Sequence, residues 1–269
     1  MSEPWRTLLT LAAGLVTGVL SGMFGIGGAV VSNPAIRALG ASPIQSVGST
    51  LPSILPSAIS GALRYHREGL LRLRVVAWTG FSGAFAAVGG SLLTTVVPDA
   101  RALTISIAVL MVYTAVRTGR AARPATVPAD ESETAPTDAE PASGRGDWWT
   151  LVAIGLVAGL FSGLLGIGGG LLMVPAFTAL LRLPLKETLG TSLACVGIIA
   201  VPGMVTHALL GHIDWGFAIP LSIAVIPGAR IGAGLAIRTS DRALRLTVAI
   251  GLSAVAVIYA TTELAALIG

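Results

Sequence analysis

The feature that most constrains the fold is an apolar, glycine-rich stretch that the chain carries twice. Residues 14–34 read GLVTGVLSGMFGIGGAVVSNP, and residues 155–175 read GLVAGLFSGLLGIGGGLLMVP. The two copies lie 141 positions apart (155 − 14). Self-similarity at a fixed separation indicates a chain built of two equivalent halves.

Each copy is interrupted at corresponding places. Glycine clusters at 25–28 and 166–170 release the backbone from helical angles and permit close approach of a ligand or a second helix. Asn33-Pro34 and Val174-Pro175 follow, and proline removes a backbone donor and clashes with the preceding turn. Membrane helices interrupted at the same place in two halves are the best sequence indication of a transporter's binding site.

The composition places the chain in a membrane. Of its 269 residues, 54% are hydrophobic and only 11% are charged, which is too little charge to cover a water-soluble protein of this size. The formal net charge of +4 comes mostly from arginines in short loops, so we expect no nucleic-acid partner. The single cysteine, Cys195, excludes an intrachain disulfide.

The predicted fold class is an all-α integral membrane protein with two inverted repeats. The apolar run from Leu8 to Phe24 resumes only from Ala29 to Leu39, too short to cross a membrane that needs about 20 helical residues. We therefore expect each half to be a broken, re-entrant helical hairpin followed by three transmembrane helices, an odd number of crossings that inverts the second half. Ser42-Pro43 is expected to open a loop, with the next run beginning near Gly48.

The halves are predicted at residues 1–118 and 148–269. Between them, residues 119–147 are rich in alanine, proline, threonine and acidic residues, a composition typical of a disordered linker. Loop 64–74 contains four arginines, whereas loop 211–214 contains no lysine or arginine. The positive-inside bias therefore predicts a multi-pass protein of the cell membrane with loop 64–74 and the linker in the cytoplasm and both termini outside. Arg37 is an exception to this bias.

The paired breaks predict an anion site that needs no cation. Two helices would begin near Gly28 and Gly169, and their unpaired N–H groups and partial positive charge favour anions. Nearby hydroxyl, amide and guanidinium groups are candidate donors. The candidate substrate-binding residues are Ser21, Gly22, Gly25, Gly27, Gly28, Asn33, Ser49, Thr50, Ser162, Gly163, Gly166, Gly168, Gly169, Gly170, Thr191, Ser192 and Arg230.

Structural roles are the alternative for the same residues. The glycines then serve only helix packing, and the Ser and Thr hydroxyls bond their own backbone. Arg230 either guides the anion or extends to the interface. His207 is a candidate proton carrier, although a packed histidine is the more ordinary interpretation. Because no Asp or Glu falls within an apolar run, we expect no sodium site, no carboxylate proton relay, no metal and no cofactor.

The sequence resembles the TauE/SafE sulfite exporter family, also called TSUP. The doubled motif GxxSGxxGIGG(G) followed by proline carries the resemblance, with the two G-[ST]-[ST]-L elements at 48–51 and 190–193 and the segment PGARIGA at 227–233. The resemblance implies transport of sulfite, sulfoacetate, related organosulfonates or carboxylates. The first half departs from the pattern where Ala29 stands opposite Gly170 and Val88 opposite Arg230, which weakens the case for a two-fold symmetric site.

The leading functional hypothesis is a secondary transporter that exports small sulfur-containing anions by alternating access around the breaks. An anion channel shares the same site chemistry and differs in rate. An intramembrane serine protease is a further alternative, but its serine motif is one residue too long here and His207 would be the base. The expected partners are a small anion and the lipid bilayer, with a second copy of the chain as a candidate partner in a homodimer.

Overall fold

The computed structural model of the chain describes residues 3–93, 147–166, 168–248 and 250–251. This part of the chain is helical apart from short connections, which confirms the all-α prediction. Its principal helices are α1 (Glu3–Phe24), α2 (Ala29–Ala38), α3 (Pro43–Arg67), α4 (Leu73–Leu93), α5 (Trp148–Leu165), α6 (Gly170–Leu180), α7 (Leu185–Leu209) and α8 (Trp215–Arg238). Residues 241–248 are also helical. The predicted linker lies outside the described residues except for Asp147.

Four of these helices are long and apolar enough to cross a membrane by length and composition. They are α1 from Pro4, α4, α7 and α8. Helix α3 is as long as α7 but carries several buried hydroxyl side chains and prolines. Its polar face is buried inside the bundle, so hydropathy alone does not identify it as a spanning helix.

Helix α3 begins earlier than the sequence predicted. Ser42 accepts a hydrogen bond from the Gln45 N–H, and the Gln45 side chain accepts one from the Ser42 N–H. This capping box satisfies two of the donors that a helix N-terminus leaves free. Ser42-Pro43 is therefore the start of α3, and Gly48 lies more than a turn inside it.

The chain reverses direction at both breaks. The backbone at Gly28, the N-cap of α2, packs against Thr17 and Ser21 of α1. Towards the other end of α2, Ile36 shares a buried cluster with Phe217 and Leu221 at the start of α8. Helix α2 therefore runs back along α1. In the second half, Gly169 at the start of α6 packs against Ala158 of α5 in the same way.

The two halves interlock through their first helices. Helix α1 packs along α8 of the other half, and α5 packs along α4. Gly14 lies on Leu221, Gly18 on Val225 and Gly22 on Ala229, so α1 and α8 run in parallel. Glycine at every fourth position lets the two backbones approach, as is common between membrane helices.

Helices α3 and α7 cross at the centre in opposite directions. Gly203 near the end of α7 faces Leu51 near the start of α3, and Gly61 near the end of α3 faces Leu193 near the start of α7. These helices occupy equivalent places in the two halves. These two helices therefore run antiparallel.

Basic side chains collect at one end of the bundle. Arg72, in the loop before α4, makes a 2.7 Å ion pair with Glu187 of α7. Lys186 of α7 lies 3.8 Å from Asp241, just beyond α8. These contacts bring together three basic segments, 64–74, 182–186 and 238–245. At the opposite end, Arg6 lies 3.7 Å from Asp214.

Candidate functional site

The two helix breaks meet where α3 and α7 cross. Side chains added at Gly27 or at Gly168 would both meet Ile54 of α3 and Val196 of α7. Gly170 lies directly against the backbone of Ile26. The structure therefore brings the two predicted breaks together in the middle of the bundle.

Left-handed backbone explains most of the glycines at the breaks. Six of them have φ between 65° and 81°. Residues other than glycine adopt this backbone region at a cost of about 1–2 kcal/mol. These residues are Gly25, Gly27, Gly28, Gly166, Gly168 and Gly169.

The departure from symmetry at Ala29 also has a structural reason. Ala29 and Gly170 are the first residues of α2 and α6, where the backbone is helical and any residue is allowed. A Cβ at Gly170 would lie 2.6 Å from the Ile26 Cα, so this position has no room for a side chain. Ala29 is fully buried and its methyl group is accommodated.

Both short helices begin buried and without a cap. Gly28 and Gly169 are the N-cap residues, and no side chain caps α2 or α6. No hydrogen bond to another described residue satisfies the N–H groups at 28–30 or 168–171. Buried N–H groups of this kind are costly unless a partner or ligand accepts from them.

Hydroxyl groups lie close to the first break. The Ser57 hydroxyl of α3 donates to the Ser21 Oγ at 2.9 Å, and both side chains are buried. Thr17 Oγ1 and Ser162 Oγ have no hydrogen-bond partner in the described part of the chain, although each residue is only 1% exposed. Thr17 was not identified from the sequence, although it precedes Ser21 by one helical turn.

The first hydroxyls of the two G-[ST]-[ST]-L elements join the halves. The Ser49 Oγ accepts from the Asp214 N–H at 2.8 Å, and the Thr191 Oγ1 accepts from the Arg72 N–H at 3.1 Å. Asp214 and Arg72 stand just before α8 and α4, so each bond fixes the start of a helix.

The second hydroxyls of these elements support the first break. The Ser192 hydroxyl donates to the Gly25 carbonyl at 2.8 Å. The Thr50 hydroxyl lies 3.1 Å from the Asn33 Oδ1 of α2. The structure therefore brings Ser192 to the first break and Thr50 to the middle of α2, and both hydroxyls have protein partners there.

Two aromatic side chains hold the ends of α1 and α5. The Tyr65 hydroxyl of α3 donates to the Gly22 carbonyl at 2.9 Å. His207 of α7 places its Nε2 3.3 Å from the Gly163 carbonyl. These positions are equivalent in the two halves, and the role of Tyr65 was not predicted.

His207 does not meet the requirement for a serine base. Its Nδ1 lies 3.1 Å from the Nδ1 of His212, so both ring nitrogens contact groups other than a serine. Burial lowers the pKa of His212, which lies in the loop before α8. The geometry gives no support to the protease alternative.

Three predicted residues lie on surfaces other than the break. Gly22 and Gly163 face the backbones of Ala229 and Ala87 across the helix contacts, as the packing alternative requires. Arg230 lies on the exposed face of α8, whereas Ala229 faces the other way and is fully buried. The structure therefore does not bring the Arg230 side chain to the breaks.

The centre of the bundle is polar but uncharged. Among the described residues, the buried polar side chains are hydroxyls, Asn33 and His207, with no acid, lysine or arginine. The same residues contain no group of His, Cys, Asp and Glu that could hold a metal ion. The arrangement offers hydrogen-bond donors without a fixed charge, which suits an anion.

These features define a polytopic α-helical membrane protein with two interlocked halves and a donor-rich, uncharged centre. The sequence model of the sulfite exporter TauE/SafE family matches residues 10–259. The chain belongs to the TauE/SafE family and is a membrane transporter of that type. The resemblance noted from the sequence is confirmed.

Relatives of similar length support this assignment. The chain is 26% identical over 240 residues to the probable membrane transporter protein YunE of Bacillus subtilis (strain 168), covering 85% of this chain and 86% of the relative. It is 26% identical over 253 residues to a probable membrane transporter protein of Xylella fastidiosa (strain 9a5c), covering 93% and 92%. No solved structure matches the chain significantly.

Proposed function

We propose that the protein is a secondary transporter that exports small sulfur-containing anions, such as sulfite, sulfoacetate or related organosulfonates. The observation that carries the proposal is the meeting of two uncapped, buried helix N-termini at the α3–α7 crossing. Such ends bind anionic oxygens through N–H groups and the helix dipole. The name of the family supplies sulfite as the first anion to test.

The proposed mechanism is alternating access between two inverted halves. The antiparallel course of α3 and α7 supports a two-fold axis in the membrane plane, the relationship found in many transporters. The hairpins α1–α2 and α5–α6 then enter and leave the membrane on the same side. Movement of one half against the other would expose the breaks first to one side and then to the other.

The proposed location is the cell membrane, with the basic end in the cytoplasm. Segments 64–74, 182–186 and 238–245 together carry nine lysines and arginines, whereas Arg6 and Arg37 are the basic residues described at the other end. Cytoplasmic loops carry such an excess of positive charge. This orientation places loop 211–214 outside.

Export needs no coupling cation in this scheme. The described core contains no buried carboxylate to carry a proton or sodium ion. An interior that is negative by 100 mV favours the exit of one negative charge by about 2.3 kcal/mol. The membrane potential alone then drives the anion outward.

A binding screen followed by flux measurement tests the proposal. The purified protein is heated with sulfite, sulfoacetate, taurine, sulfate, thiosulfate and small carboxylates, because a ligand of the folded state raises the unfolding temperature. The anion that gives the largest shift is then loaded into proteoliposomes. Slow, saturable flux supports a transporter, single-channel currents indicate an anion channel, and the absence of any shift or flux contradicts the proposal.

A further inference from the structure

The two breaks differ in the side chains that surround them. Residues equivalent by the repeat are Thr17 and Ala158, Ser21 and Ser162, and Ser57 and Ile199. At these three positions the first half has three hydroxyl side chains and the second half has one.

Thr17 lies directly beside the start of α2. Its Cγ2 is the atom nearest to a Cβ built on Gly28, at 2.7 Å, and the Ser21 Cβ is the next, at 3.1 Å. Both side chains therefore lie against Gly28, the residue at the N-cap position of α2. Thr17 is 1% exposed and its hydroxyl has no protein partner within the described ranges, an arrangement that is unfavourable without a ligand.

The Ser21–Ser57 pair leaves one proton available. When the Ser57 hydroxyl donates to the Ser21 Oγ, the Ser21 hydroxyl keeps its own proton for another acceptor. Ser57 thus fixes the position of the Ser21 oxygen without using its donor. The cluster of Thr17, Ser21 and Ser57 supplies two hydroxyl donors beside the free N–H groups of α2.

We infer that the first break is the principal anion site, with Thr17 and Ser21 donating to an oxygen of the anion and Ser57 positioning Ser21. This inference rests on the proposed function. It adds Thr17 as a binding residue and makes the two halves unequal. The ligand class is an anion with several acceptor oxygens, bound by neutral donors alone.

Thr17→Val is the direct test, because it replaces the hydroxyl by a methyl group of similar size. Binding of sodium sulfite and sodium sulfoacetate is measured by calorimetry in detergent. We expect Thr17→Val to weaken binding by roughly tenfold or more, as for a lost bond to a charged group. The unfolding temperature without ligand should stay unchanged or rise, because the variant removes an unpartnered buried polar group.

Thr10→Val is the matched control on the same helix. The Thr10 hydroxyl donates to the Arg6 carbonyl at 2.7 Å, two helical turns from Thr17, and the residue is fully buried. Thr10→Val should leave the affinity unchanged. If the unfolding temperature of Thr17→Val falls while its affinity for the anion is unchanged, Thr17 has a structural role and the inference is wrong.

A double-mutant cycle tests the positioning role of Ser57. We expect Ser57→Ala to weaken binding in the wild-type protein and to have little further effect in a Ser21→Ala background, because coupled residues are not additive. Ser53→Ala, which removes a hydroxyl bonded to the Thr50 carbonyl of the same helix, is the control. Additive losses would contradict the positioning role.

Two outcomes separate this inference from the proposed function. If the wild-type protein binds and Thr17→Val binds equally well, the inference is wrong and the transporter proposal stands. If neither anion binds to the wild-type protein, the proposed function fails for these substrates, and the inference fails with it.

Discussion

Replacing Gly25 by alanine tests how tightly the backbone of the first break is constrained. Gly25 has φ 68°, and a Cβ there would lie 2.6 Å from the Leu189 carbonyl oxygen and 2.9 Å from the Leu189 Cα of α7. Because these are backbone atoms, no rotation of a side chain relieves the contact. The variant therefore combines left-handed strain with a steric clash between the first break and α7.

Gly69 offers a matched control for the strain alone. Its φ is 70°, and a Cβ there would meet no atom within 4 Å. Gly69→Ala should cost about 1–2 kcal/mol, the penalty of left-handed backbone for a residue with a Cβ. Gly25→Ala should cost that amount plus about 1–3 kcal/mol for overpacking, a total of about 2–5 kcal/mol.

The two variants are compared by their free energy of unfolding in mixed SDS and dodecylmaltoside micelles. Anion binding is measured on the fraction that remains folded. We expect the loss of stability to be larger for Gly25→Ala, and the loss of binding to occur in that variant alone. Equal destabilisation by the two variants would refute the close packing of the first break against α7.

Three further outcomes are expected. Tyr65→Phe should lower the free energy of unfolding by about 1–3 kcal/mol, because it leaves the buried Gly22 carbonyl without its donor; unchanged stability would remove Tyr65 from that role. Single cysteines are placed at Gly69 and at Gly211, where the space around the Cβ position is open, in a Cys195→Ala background. The two cysteines should differ in how strongly they are labelled in intact cells. An impermeant maleimide should label only position 211, and equal labelling would contradict the orientation. Anion efflux from proteoliposomes should quicken when valinomycin and potassium make the interior negative. A flux that ignores the potential and follows a pH gradient would exclude uniport.

The break itself could be predicted because its cause is local. Glycine is the residue that adopts positive φ without strain, so the clusters at 25–28 and 166–170 locate the turns directly. The length of α2 also followed, since the apolar run ends near Leu39. The start of α3 was missed although Ser42 and Gln45 have the spacing of a capping box.

The partners of the hydroxyl groups could not be predicted. Ser192 bonds the Gly25 carbonyl across 167 positions of sequence, and only the folded arrangement of the halves brings them together. The same holds for Thr191 and the Arg72 N–H. In contrast, the outward position of Arg230 had a local signal: Gly228 and Gly232 mark the face of α8 that approaches α1, and Arg230 projects from a different face.

The interlocking of the halves has a consequence for assembly in the membrane. Helix α1 is made first, but its partner α8 begins 191 positions after α1 ends (215 − 24). At about 5–20 residues per second, synthesis of that intervening chain takes on the order of 10–40 s. During this time the glycine face of α1 borders lipid or a chaperone of the insertion machinery. Helix α1 therefore enters the membrane first and reaches its native packing only after α8 has been inserted.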